Sequence, residues 1–136
     1  MTFVIYDTET TGLETAFHQI LQFAAIRTDD DLNEIDHFEI RCRLLPWVVP
    51  SPGALKATGI TPSMLVDKNL PSHFEAMVQI NERLRSWSPA VFIGYNSISF
   101  DEDLLRQAFF QTLQPPYLTN TNGNCRADSR LIRVRA

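Results

Sequence analysis

The chain has 136 residues, with 12 basic and 16 acidic side chains and a net charge of −4, which is material for one domain. Hydrophobic residues make up 44%, including nine Phe, three Tyr and two Trp, so global disorder is excluded. No apolar run reaches the ~18 residues of a membrane helix, and no basic stretch followed by an apolar core opens the chain as a secretion signal would; a cytoplasmic protein with no membrane partner is expected.

The acidic balance argues against a protein that grips nucleic acid by bulk charge. The basic residues gather late: Arg106, Arg126, Arg130, Arg133 and Arg135 follow Leu104, against one acid, Asp128. Cys42 and Cys125 lie far apart in no metal-ligand spacing and read as free thiols of a reducing compartment, with one long-range disulfide as the alternative.

Phe3-Val4-Ile5-Tyr6 is a short apolar run suited to a fully buried central strand, broken by Thr10-Thr11-Gly12. A second strand is predicted over 18–28, followed by a polar turn at Asp29-Asp30-Asp31. In the third strand Phe38, Ile40 and Cys42 alternate with His37, Glu39, Arg41 and Arg43, the period-2 pattern of a half-exposed strand. Short turns between them predict an antiparallel meander.

Residues 46–62 read as a Pro- and Gly-rich loop with one short helical turn around 54–57; so long an irregular segment is usually functional. Ser72 and Glu75 then form a capping box that starts a helix, with Phe74, Met77, Val78, Leu84 and Trp87 as its apolar face and Pro89 as its stop. Residues 90–93 are a second buried-strand candidate. A second capping box, Ser99 with Glu102, opens a helix whose inward face is Leu104, Leu105, Ala108 and Phe109 and which Pro115-Pro116 ends. A polar loop follows, with the first turns of a third helix near Asp128.

The order β-β-β-α-β-α predicts an α/β fold: a mixed sheet, made of a three-strand antiparallel meander plus a parallel strand, flanked by helices. The ribonuclease H-like fold has this order, although pattern alone does not single it out.

Asp7 and Glu9 are two residues apart on a strand, so both side chains point to one face. Paired carboxylates at the end of a central strand are costly to bury unless a cation lies between them, and a hard divalent ion with oxygen ligands is the usual answer. Exposed acids capping a strand edge are the alternative. Asp101 opens a helix, where an acid also complements the helix dipole; that suffices for Glu102 and Asp103. If the two strand ends are adjacent, Asp7, Glu9 and Asp101 reach one patch, and three converging carboxylates fit a two-metal site for phosphoryl transfer. His18, His37 and His73 read as solvent-facing. Trp47 suits core packing or a lid better than base stacking, and the late arginines suit a solvated helix face better than phosphate contacts.

Asp7-Thr8-Glu9-Thr10-Thr11-Gly12 resembles the first motif of the DEDD (DnaQ-like) superfamily of 3′→5′ exonucleases. Residues 22–29 (QFAAIRTD), 52–55 (PGAL), 58–62 (TGITP), 94–96 (GYN) and Phe100-Asp101 narrow the resemblance to the bacterial exonuclease I family, which digests single-stranded DNA from its 3′ end. The resemblance implies a ribonuclease H-like sheet, incomplete at the C-terminus, with residues 1–136 as the N-terminal portion of an exonuclease domain. It implies that Asp7 bridges two Mg²⁺ ions (Mn²⁺ substituting), that Glu9 holds one and that Asp101 supports the other. It further implies that Thr10, Thr11 and Gly12 flank the terminal nucleotide and that Asn96 and Phe100 shape the loop near it. The family's third motif adds a His and a fourth carboxylate, but no His follows His73 here, and Asp128 is the only acid after Asp103. The chain is therefore expected to end inside the catalytic domain and to self-associate through an uncovered sheet face. A remnant that binds nucleic acid or a partner without cleaving it, and a proofreading-type subunit, are the other readings.

Overall fold

The computed structural model describes residues 1–94 and 100–118. In chain order the elements are β1 (Phe3–Thr10), β2 (Ile20–Thr28), β3 (Glu34–Arg41), α1 (Pro52–Thr58), α2 (Pro62–Leu65), α3 (His73–Trp87), β4 (Val91–Gly94) and α4 (Phe100–Gln111). The four strands form one sheet in the order β3-β2-β1-β4. β1, β2 and β3 are the antiparallel meander, and β4 lies parallel to β1 with Phe3 opposite Val91 and Tyr6 opposite Gly94.

β1 runs further than its apolar run predicts. Its ladder with β2 continues through Thr8–Phe23 and Glu9–Gln22 to Thr10–Ile20, with a bulge between Glu9 and Thr10. β2 offers backbone partners that far, and paired backbone groups outweigh the polar side chains. Asp7 and Glu9 therefore lie within the paired part of the strand, toward its C-terminal end as expected. β1 is also not buried on both faces: Val4 and Tyr6 are buried, while Phe3 and Ile5 are half-buried.

The core fills one face of the sheet. Val4, Tyr6, Phe23 and Ala25 pack there with Phe38, Ile40 and Phe92 against α3 and α4. The Tyr6 and Phe23 rings stack with centroids 5.9 Å apart. The capping box of α3 is present, with Ser72 Oγ accepting from the Glu75 N–H and Glu75 returning the bond to the Ser72 N–H. The inward stripe of α3 is rotated from the predicted one. His73, Ala76, Met77, Ile80, Leu84 and Trp87 are buried, while Phe74 is exposed. Those buried positions recur at helical spacing, and Phe74 falls outside that arc.

The long loop holds more helix than expected. Ser51 Oγ caps α1 by accepting from the Ala54 N–H, Pro52 occupies its first turn, and Gly59 ends it at φ 70°, where a residue with a side chain is strained. α4 stops at Gln111, ahead of the two prolines. The Gln114 N–H donates to the Phe109 carbonyl (2.8 Å) and the Leu113 N–H to that of Phe110 (3.2 Å), with Leu113 at φ 60°. This is a Schellman cap with leucine in the position glycine usually takes. Leu104, Leu105, Ala108 and Phe109 are buried as predicted. Among the described residues no helix is long and apolar enough to cross a membrane. Asn96, Ser99, Cys125, Asp128, the four arginines after Arg106 (Arg126, Arg130, Arg133, Arg135) and the helix expected near Asp128 lie outside the described residues.

Candidate active site

Alternation along β1 sorts its side chains. Tyr6 turns into the core. Asp7 and Glu9 therefore leave on the opposite face, as their spacing predicts. On that face Asp7 joins Ile5, Ala24, Ile26, His37 and Glu39 around a shallow open groove. Asp7 is exposed and Glu9 half-buried.

Asp101 approaches the same strand from the helix side. β4 runs beside β1 and ends at Gly94, level with Tyr6, and α4 begins at Phe100. This brings the first turn of α4 to the middle of β1. There the Thr8 hydroxyl donates to Asp101 Oδ1 at 2.6 Å. Asp101 is only 5% exposed, which is uncommon for a carboxylate. Phe100, half-buried, packs at the edge of the core beside it.

The three carboxylates act on one another. Burial first, then the Asp7 and Asp101 charges, raise the Glu9 carboxyl above its ordinary range. Burial also raises Asp101, the Thr8 hydrogen bond opposes this, and the Asp7 charge adds to it. A ready-formed cage is nevertheless not present: among the described residues no three His, Cys, Asp or Glu side chains are gathered closely enough to hold a metal ion. Asp7 and Glu9 leave β1 on one face and Thr8, which holds Asp101 Oδ1, on the other, yet the Asp101 charge still reaches Glu9 and the Asp7 charge still reaches Asp101. The donor set still fits a hard divalent cation: its members are all carboxylates, the class of ligand such ions take, and each raised group is relieved by nearby positive charge.

The turn after β1 is built differently from its reading in the sequence. Thr10 and Thr11 are buried, and their hydroxyls are used within the turn. Thr10 donates to the Gly12 carbonyl (2.9 Å); Thr11 Oγ1 meets His18 Nδ1 (2.9 Å) and accepts the Gln19 N–H (3.0 Å). Gly12 is needed because the His18 ring lies where a side chain would go: a Cβ there falls 2.4 Å from Cε1 and Nε2. Buried Gln19 ties this turn to the segment after β3. Its Nε2 donates to the Arg43 carbonyl (3.0 Å), and its Oε1 accepts the Leu45 N–H (2.8 Å). The Ser51 N–H donates to the Thr11 carbonyl at 2.7 Å. Thr8 is only the unmarked middle residue of the D-x-E segment, and His18 and Gln19 lie in no motif.

Other readings are corrected. His73 is buried on α3, and burial lowers its pKa; His18 is half-buried against Gly12; His37 alone is exposed. Trp47 is 76% exposed and so is not a core residue. It sits in a tight turn closed by the Val48 N–H donating to the Leu45 carbonyl (3.1 Å), and Val48 is the residue that turns inward. Asp29 is a turn residue as expected, accepting from the Asp31 and Asn33 N–H groups. Cys42 is a free, buried thiol pushed up to about 12 by burial. Arg106 pairs with Glu102 (2.5 Å) on α4.

A model described as Exonuclease matches residues 4–129. The chain belongs to the exonuclease family. Exodeoxyribonuclease I of Buchnera aphidicola is 37% identical over 128 residues, covering 93% of this chain and 30% of the relative. Exodeoxyribonuclease I of Escherichia coli is 34% identical over 117 residues, covering 85% of this chain and 24% of the relative. The crystal structure of E. coli exonuclease I in complex with a dT13 oligonucleotide superimposes with a TM-score of 0.79 at 30% identity, over 89% of this chain and 26% of that one. The chain thus spans less than a third of the curated relatives it matches. The four-stranded mixed sheet and its helices are those of the ribonuclease H-like fold of exonuclease I.

Proposed function

We propose that this exonuclease-family chain contributes to 3′→5′ hydrolysis of single-stranded DNA to nucleotides, with Asp7, Glu9 and Asp101 as the acidic centre. The observation that carries the reading is the placing of two carboxylates on one face of β1 and a third, buried one against the same strand, with burial first and neighbouring carboxylate charge after it raising two of them. Asp7, the most exposed of the three, would be the carboxylate shared between cations, with Glu9 and Asp101 as the further ligands. Mg²⁺, with Mn²⁺ as its substitute, would supply there an activated water and positive charge against the phosphate. Thr10, Thr11 and Gly12 give the turn beside Glu9 a fixed shape and so bound the space for the terminal nucleotide. Phe100, the first residue of α4, and Asn96, which lies outside the described residues, are the further positions assigned to the loop near that nucleotide.

The test is digestion of 5′-labelled single-stranded DNA with Mg²⁺ or Mn²⁺, beside Asp7→Asn. A ladder of 3′-shortened products that disappears in the variant supports the reading. A second reading, strand binding without cleavage, is favoured by the lack, among the described residues, of three acids gathered closely enough to hold a metal ion. Salt-dependent binding with no ladder selects it, and the absence of both binding and cleavage overturns both.

A further inference from the structure

We propose that Thr8 is a positioning residue that aims Asp101 at the cation site, an inference that rests on the reading above. Thr8 stands between Asp7 and Glu9 in the sequence but leaves β1 on the other face, where its hydroxyl donates to Asp101 Oδ1 at 2.6 Å. It is the side chain through which the α4 carboxylate touches the strand that carries the other two acids. A hydroxyl rotates to donate, and a short bond to an ionised acceptor is of the stronger, charge-assisted kind. The bond engages Oδ1 and restrains the rotation of the group, so that Oδ2 is the oxygen a cation would take. Asp101 is 5% exposed, so water does not replace this donor easily. Strand alternation gives the arrangement its economy. A D-x-E segment aims two acids to one face, and the middle residue is the one able to hold a third acid arriving from the other.

Outer partners of metal-ligating groups typically change metal affinity by about 10- to 100-fold when removed. The experiment measures Mn²⁺ binding to the chain by the electron paramagnetic resonance of the free ion, without nucleic acid. Thr8→Val is expected to weaken binding about 10-fold or more, while Thr8→Ser, which keeps the hydroxyl, stays within about twofold of the parent. Asp101→Asn is expected to weaken binding, and the pair Thr8→Val/Asp101→Asn to be no weaker than Asp101→Asn alone, because the two act as one unit. A merely structural threonine gives additive losses. Should Thr8→Val fail to fold, Thr8→Ala serves in its place, with circular dichroism as the check. Parental affinity in the Val or Ala variant, a Ser variant as weak as Val, or additive losses overturns the positioning role and leaves the acidic centre standing. A parent that binds no Mn²⁺ overturns both.

Discussion

The imidazole of His18 occupies the volume that a side chain at Gly12 would need, with a Cβ there lying 2.4 Å from two ring atoms. The ring is held by Thr11 Oγ1 at 2.9 Å, so it cannot swing aside without losing that bond. Gly12→Ala is therefore expected to cost about 1–3 kcal/mol, the usual range for overpacking. His18→Ala empties the space, and the double variant Gly12→Ala/His18→Ala is expected to melt no lower than His18→Ala alone. Urea unfolding of the three variants checks this, and additive losses would show that the glycine serves some other purpose.

Gln19 is the second support of this turn. Its amide bonds the Arg43 carbonyl and the Leu45 N–H, which lie on a different loop. Gln19→Leu keeps the bulk but leaves both backbone groups without that partner, at a cost of about 1–3 kcal/mol for each group that stays buried. Hydrogen exchange at the Leu45 amide is the direct readout. Faster exchange there, with α3 unchanged, is the expected result.

How much of this was legible in the sequence depended on the reach of each interaction. Ser72 and Glu75 are three residues apart, and their box appears as predicted. The Phe38 and Ile40 alternation likewise needs only a strand's own pleat, and Asp7 and Glu9 share a face for the same reason. Signals that depend on distant partners were not legible. Nothing local distinguishes Thr8 from any other middle residue of a D-x-E segment, since its partner is 93 positions away. Gln19 reads as an ordinary strand-entry residue until the loop after β3 folds over it. Hydrophobicity misled at Trp47 and Phe74, which are 76% and 54% exposed, because composition does not say which residue of a turn or helix faces in. The charges of Asp7, Glu9 and Asp101 act on one another, but the side chain that holds Asp101 on the strand, Thr8, was not legible.

The raised carboxyls make the cation-free protein sensitive to pH in a definite sense. Glu9 and Asp101 both sit above their ordinary range in the folded chain, first through burial. A raised acid contributes stability that is complete below its unfolded value and is lost as pH rises through its folded value. Without cations, the melting temperature is thus expected to rise on acidification from neutral pH into the window just above the ordinary carboxylate range. Asp29, Asp36 and Glu75 have lowered values and act oppositely, so stability falls again at lower pH. Asp101→Asn removes the charge while its Oδ1 still accepts from Thr8. The variant is expected to melt above the parent at neutral pH without cations and to lose the gain that Mg²⁺ gives the parent. Calorimetry at several pH values checks both statements; a variant that melts lower than the cation-free parent would mean that Asp101 is stabilising as a charge.

The two tryptophans separate surface from core. Trp47 is 76% exposed, whereas Trp87 is 3% exposed and donates its indole N–H to Asp36 Oδ2 at 3.0 Å. Trp47→Phe is expected to leave stability within about 0.5 kcal/mol of the parent, as surface changes do. Trp87→Ala is expected to cost about 3–5 kcal/mol, because a buried ring leaves a cavity among Leu84, Ala90 and their neighbours. The acid limb should differ as well. The Trp87 hydrogen bond is the largest of the causes that hold Asp36 below the usual carboxylate range, and stability from a lowered acid is lost as pH falls through its folded value. Trp87→Phe removes that donor, so it has less left to lose, and its stability should fall less steeply below the ordinary carboxylate range than the parent's does. Fluorescence of Trp47→Phe reports Trp87 alone, and a blue-shifted emission that moves red only on unfolding is the expected signature of its burial.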